Sequence, residues 1–174
     1  MKKAVTLAIA IAVATALGVG AAVAAVRDGE PTVRTIGTEN FEPNALIYST
    51  FRFSPQVIEV VSGGTLRFID KDSSSEEPHT LSIVNPGQLP TDIEDVFNCE
   101  PCNKILFEHF GDELKLRVDR DGDGGLNIPG DSIMTLPGAN DSITEQVTAP
   151  AGTTLDFLCA IHPWMQGKIK VTSG

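Results

Sequence analysis

The sequence predicts an all-β fold, an antiparallel Greek-key β-sandwich with a partly helical insertion before its last strands. Three observations point to it. Short runs rich in β-branched and aromatic residues recur, with turn signals between them. One stretch in the middle of the chain switches to helical spacing. At 174 residues, with 41% apolar and 21% charged residues, the chain has the size and composition of one globular domain.

In chain order, the first element is an address. Met1, Lys2 and Lys3 precede an uncharged apolar run over 4–26 that ends in small residues. That is the pattern of a secretory signal peptide, expected over 1–25, with an uncleaved membrane anchor as the rival reading. Its Ala richness makes it weakly hydrophobic for a membrane span. Residues 26–44 are polar and carry Gly and Pro, which predicts a flexible lead-in. Strands are then expected over 46–53, 56–61, 65–69 and 80–84. Ser54-Pro55, Ser62-Gly63-Gly64 and Asn85-Pro86-Gly87 punctuate them. Further strands are expected over 142–148, 153–158 and 167–171. The domain therefore covers 45–174, with an insertion at about 86–141. Inside it, Ile93, Val96, Phe97, Ile105, Leu106 and Phe110 follow helical spacing over 91–110, before a loop over 119–130.

Charge and rare residues exclude several functions. Lys plus Arg number 13 against 23 Asp plus Glu, a net charge of −10. Removal of 1–25 takes two lysines and no acid, leaving −12. Such a chain has little base for a nucleic-acid face. Three Cys and three His cannot supply a multinuclear copper oxidase. Export would place the chain in the periplasm or outside the cell, where disulfides persist.

The chemistry concentrates in Cys159-Ala160-Ile161-His162-Pro163-Trp164-Met165-Gln166-Gly167. A thiolate, an imidazole and a thioether stand at i, i+3 and i+6 between two expected strands, where one turn can aim all three at a point. His79 lies at the mouth of a strand far upstream, and sandwich loops gather at the ends of the sheets. Two His, one Cys and a weak axial Met make a blue-copper electron-transfer site. Taken singly, each of the four residues is more simply a core or strand-end residue; together they make a ligand set.

These residues resemble the cupredoxin family, the plastocyanin and amicyanin type of blue copper protein. The spacing C-x-x-H-P-x-M-x-G over 159–167 is similar to the short ligand loop of amicyanin. The stretch Phe53-Ser54-Pro55-Gln56-Val57-Ile58-Glu59-Val60 with Gly63-Gly64-Thr65-Leu66-Arg67-Phe68 is similar to the family's opening hairpin. The resemblance spans about 49–173 apart from the insertion. It implies one type 1 copper, with His79, Cys159 and His162 as equatorial ligands and Met165 as the axial one. It further implies that His162 sits near the surface as the exit for electrons. Trp164, in the same loop, reads as a shield, as part of an apolar docking patch, or as simple packing.

The remaining rare residues have their own readings. Cys99-Glu100-Pro101-Cys102 is a CxxC, most simply a disulfide in an exported chain. A second soft metal site from Cys99, Cys102 and His109, with Met134 unassigned, is the alternative to a surface His beside a disulfide. Asp119-Arg120-Asp121-Gly122-Asp123-Gly124 matches the opening of a calcium loop, but Gly130 stands where the bidentate Glu belongs and Asp131 comes one residue late. Calcium at Asp119, Asp121 and Asp123 therefore competes with a solvated Asp/Gly turn.

The expected function is a one-electron carrier and not an enzyme, since only His109 is spare for a catalytic copper. A module that buffers or delivers copper is the alternative. The acidic charge suits redox partners with basic docking faces; no nucleic-acid partner is expected, and a membrane only through an uncleaved N-terminus.

Overall fold

The structure is a computed structural model that describes residues 29–71, 77–138 and 141–174. The expected signal peptide lies outside the described residues. No helix among them is long and apolar enough to cross a membrane.

Two sheets face each other. The first holds β10 (Ser142–Gln146), β6 (Thr65–Asp70), β1 (Thr32–Ile36) and β4 (Arg52–Ser54), in that order. The second runs β5 (Val57–Val61), β12 (Gln166–Thr172), β11 (Thr154–Leu158), β7 (His79–Val84), β9 (Ser132–Thr135) and β8 (Arg117–Val118). Alternation along the strands sends one side of each sheet inward: Ile58 and Val60 of β5, Leu66 and Phe68 of β6, and Ile169 and Val171 of β12 are all buried in one core. Phe53 anchors it edge-on to Phe68 and Phe157, with ring centroids 6.1 and 4.9 Å away.

The sandwich is as expected from the strand pattern, but its sheets are mixed. β1 pairs with β6, and β5 with β12, in parallel, while the other pairs are antiparallel. The part of the lead-in expected over 26–44 that the structure describes, 29–44, is not simply flexible. β1 sits inside the first sheet with Val33 fully buried, because Val33 and Thr35 alternate with outward Arg34. The strand expected over 46–53 is two. β3 (Leu46–Ser49) pairs with β2 (Glu39–Glu42) in a separate hairpin, and the chain crosses into the sandwich only at β4. Gly37 permits the crossing: at φ 128° it runs so close to the Thr50 carbonyl that a Cβ would overlap it.

The helical stretch divides into α1 (Ile93–Phe97) and α2 (Glu100–Phe110), separated at Asn98 and Cys99. Asp92 caps α1 through Asp95 N, and the Cys99 sulfur accepts from Cys102 N at the start of α2. Cys99 and Cys102 are joined as a disulfide. They pack with Ile105 against Val84, Leu158 and Ala160, so this apolar contact, not the bridge, sets the start of α2 on the sheet beside Cys159.

Candidate metal centre

Strand register brings the distant residues together. β11 lies antiparallel to β7 with Leu158 opposite Ser82. Continued by two residues, that register sets Ala160 against Thr80, and the Ala160 N–H donates to Thr80 Oγ1 at 2.7 Å. His79 and Cys159, 80 residues apart in sequence, therefore meet at one end of the sandwich. The loop after Cys159 is tied shut by backbone bonds from Cys159 N to the Met165 carbonyl (3.0 Å) and from Met165 N to the His162 carbonyl (2.8 Å). The Gln166 amide pins it to the insertion by donating to the Pro90 carbonyl at 2.8 Å. Gly167 is required next, because a Cβ there would strike the Phe157 ring and the Gln56 carbonyl.

Three donor atoms converge. His79 Nδ1 and His162 Nδ1 lie 3.3 Å apart, and Cys159 Sγ lies 3.9 Å from the first and 3.8 Å from the second. Ligands about 2.0–2.3 Å from a shared ion would stand at separations of this size. His79 and Cys159 are fully buried and His162 is 4% exposed. Such donors, turned toward one another and away from water, repel unless a proton or cation sits among them. Met165 is buried in the same core as Cys159.

The surroundings prepare each ligand. Burial alone would push the Cys159 thiol up, but hydrogen bonds and charge from His162 and His79 outweigh it and hold the pKa at about 5. The Thr80 N–H adds a donor to Cys159 Sγ at 3.4 Å. For His162, burial pulls the pKa down, and the Cys159 sulfur and Glu77 together raise it. His162 Nε2 donates to Glu77 Oε2 at 2.8 Å, which leaves Nδ1 as the lone-pair nitrogen facing the site. His79 Nε2 is buried with no partner among the described residues, while its Nδ1 faces Cys159 Sγ and is the atom placed for coordination.

His162 is not at the surface. Glu77 covers its outer nitrogen, and Trp164 packs edge-on at 5.2 Å. Phe51 lies against both imidazoles, 5.3 Å from His79 and 5.0 Å from His162. A carboxylate oxygen of Glu39, on β2, lies within 4.8 Å of ligand atoms of Glu77 and His162, so the hairpin reaches over this end. The expected lead-in thus builds part of the roof. Trp164, 43% exposed, is the aromatic group between His162 and solvent.

The other candidates come out differently. The sulfurs of Cys99 and Cys102 are consumed by their bridge, and His109 faces Lys115 and Ser132, so the second soft metal site is not formed. Nor is His109 at the surface; it is fully buried. Asp119, Asp121 and Asp123 gather within 4.8 Å, but all three are exposed. Asn127 Nδ2 donates to both Asp121 (2.9 Å) and Asp123 (2.7 Å), while Asp119 accepts from Gly122 and Gly124 N–H. Asp131 is buried and turned to the N–H groups of Arg120, Asn127 and Ile128. The loop is satisfied by its own donors, and calcium finds no support.

No protein-family model matches the chain, and no curated protein matches it. Solved structures do. Auracyanin A, a "blue" copper protein from the green thermophilic photosynthetic bacterium Chloroflexus aurantiacus, is 18% identical over 82% of this chain and 99% of its own, with a TM-score of 0.47. Auracyanin from Roseiflexus castenholzii is 22% identical over 82% and 98%, with a TM-score of 0.43. Amicyanin from Paracoccus versutus is 11% identical over 84% and 85%, with a TM-score of 0.40. The family expected from the ligand loop is thus among the structures that this chain is similar to. At these values the likeness carries no weight of its own, and the site stands on this chain's own residues.

Proposed function

We propose that the chain is an exported, mononuclear type 1 copper protein that carries single electrons between redox proteins. One observation carries the reading: two imidazole nitrogens and one sulfur, held 3.3–3.9 Å apart in a buried space. Soft sulfur with imidazole is a donor set for copper, and bound copper supplies a one-electron couple there. His79, Cys159 and His162 would hold it through two imidazole nitrogens and a sulfur, and Met165, buried in the same core, would add a thioether. The residues around them keep water out and restrain movement. Phe51 braces both imidazoles, Glu77 orients His162, and Thr80 and the Met165 carbonyl hold the Cys159 backbone and sulfur. A site whose ligands hardly move between oxidation states exchanges electrons with little rearrangement.

The outlet of this carrier is the face of Trp164 and the β2–β3 hairpin. Trp164 is exposed, and so are Phe41 and Ile47, which face each other across the hairpin, and Tyr48 on its other side. Docking there by a partner with basic rim residues fits the acidic charge.

Burial of the whole ligand set speaks against buffering or delivery, which need an open site for hand-over. The experiment is a chelator challenge combined with voltammetry on the copper-loaded protein. A carrier gives a reversible one-electron wave and keeps its copper against the chelator. Rapid copper loss with no defined wave would favour delivery.

A further inference from the structure

A fully buried polar path leads from the metal centre to the spare histidine. Ala160, next to Cys159, donates its N–H to Thr80 Oγ1 at 2.7 Å. Thr80 Oγ1 lies 2.8 Å from Ser82 Oγ, which lies 2.7 Å from Ser132 Oγ. Ser132 Oγ lies 2.8 Å from His109 Nε2, and His109 Nδ1 lies 2.5 Å from the Lys115 carbonyl. Thr80, Ser82, Ser132 and His109 have no exposed surface.

The ends of this path dictate its direction. The Lys115 carbonyl only accepts, so His109 Nδ1 carries the proton and Nε2 offers its lone pair. Ser132 must then donate to His109, Ser82 to Ser132 and Thr80 to Ser82. At the other end the Ala160 N–H only donates, and the Thr80 oxygen receives it. All three O–H bonds therefore point from the metal centre toward His109, with their oxygens on the metal side. Burial lowers the pKa of His109, against upward pulls from the Lys115 bond and the charges of Glu108 and Cys159, which agrees with a neutral ring.

We propose that His109 is a positioning residue of the metal centre: through Ser132, Ser82 and Thr80 it fixes the direction of the hydroxyl that holds Ala160 beside Cys159. The proposal rests on the copper reading for its effect on potential, but not for the direction of the chain. Oxygens on the metal side favour the more positive oxidation state, so the intact chain lowers the reduction potential. Glutamine at 109 can still accept from Ser132 and donate to Lys115; leucine can do neither.

The test uses His109→Leu, His109→Gln, Ser82→Ala and Ser132→Ala. Copper-free protein is read by NMR, and copper-loaded protein by voltammetry above the ordinary titration range of histidine. The expected result is the Nδ1–H tautomer at His109, with shifted Ala160 and Thr80 amide resonances in the Leu and Ala variants. Their potentials should rise together, while His109→Gln stays at the wild-type value. If His109→Leu does not fold, the two serine variants carry the same comparison. An Nε2–H tautomer, unmoved Ala160 and Thr80 resonances, or a glutamine variant shifted as far as the alanine variants would overturn the proposal. Failure of the wild type to bind copper would sink the copper reading alone, because the NMR half needs no metal.

Discussion

At the scale of single residues, the centre depends on side chains that never touch a metal. Phe51 is 4% exposed and lies against both imidazoles. Phe51→Ala should cost about 3–5 kcal/mol of stability, as large-to-small core changes do, and should speed copper loss; chemical unfolding and chelator kinetics measure both. His109 gives a pH prediction. Its folded pKa is lowered by burial, while an unfolded histidine titrates near about 6.5. The folded state thus binds fewer protons, so this contribution is present above the unfolded pKa and is lost as pH falls through the folded one. Melting temperatures of the metal-free protein should therefore drop across the weakly acidic range, and less steeply in His109→Gln. Parallel curves for the two proteins would contradict the assignment. The ligands themselves were legible because C-x-x-H-x-x-M is local and only His79 had to be found elsewhere. The burial of His109 was not. Its partners, Lys115 and Ser132, join it only once α2 and β9 are in place, and no spacing announces that.

At the scale of elements, the strands that bury one clean face could be read and the others could not. β12 alternates polar and apolar residues, β5 is apolar except for Glu59, and β7 carries Leu81, Ile83 and Val84 with the turn signal Asn85-Pro86-Gly87 after it. β1 reads Thr-Val-Arg-Thr-Ile, with a charge at its centre and a Gly after it, and looks like linker. Its burial comes from neighbours on both sides, β6 and β4, which local composition does not report. β9 is buried throughout yet begins and ends with hydroxyl residues, because Ser132 and Thr135 are satisfied by Ser82, His109 and the His79 carbonyl. The consequence for β1 can be measured. A chain starting at Thr38 loses the strand between β6 and β4, so it should lose cooperative unfolding and copper binding together. A truncated protein that still melts sharply and binds copper would return this segment to the status of a linker.

At the scale of the whole molecule, the fold places a small buried donor cluster at one end of a sandwich and covers it with a hairpin, an aromatic ring and a carboxylate. The class of fold was visible in the sequence. The hairpin part of the lid was not, since β2 lies in a stretch that looks like lead-in and β3 reads as the start of one strand over 46–53. The net charge of −10, or −12 after removal of 1–25, sets the long-range behaviour. Electron transfer to a basic partner should slow as salt rises, because screening shortens the reach of the field to about 8 Å near physiological ionic strength. A rate independent of salt would remove charge as the steering force. Above all, His79, Cys159 and His162 are proposed to hold one copper through nitrogen and thiolate sulfur. EPR and visible absorption of the copper-loaded protein, beside Cys159→Ser, test it most directly. The expected result is one copper per chain, an intense thiolate-to-copper band with a narrow copper hyperfine splitting, and loss of both signatures in the serine variant. A colourless protein, or an ordinary tetragonal Cu(II) spectrum unchanged by Cys159→Ser, would contradict it.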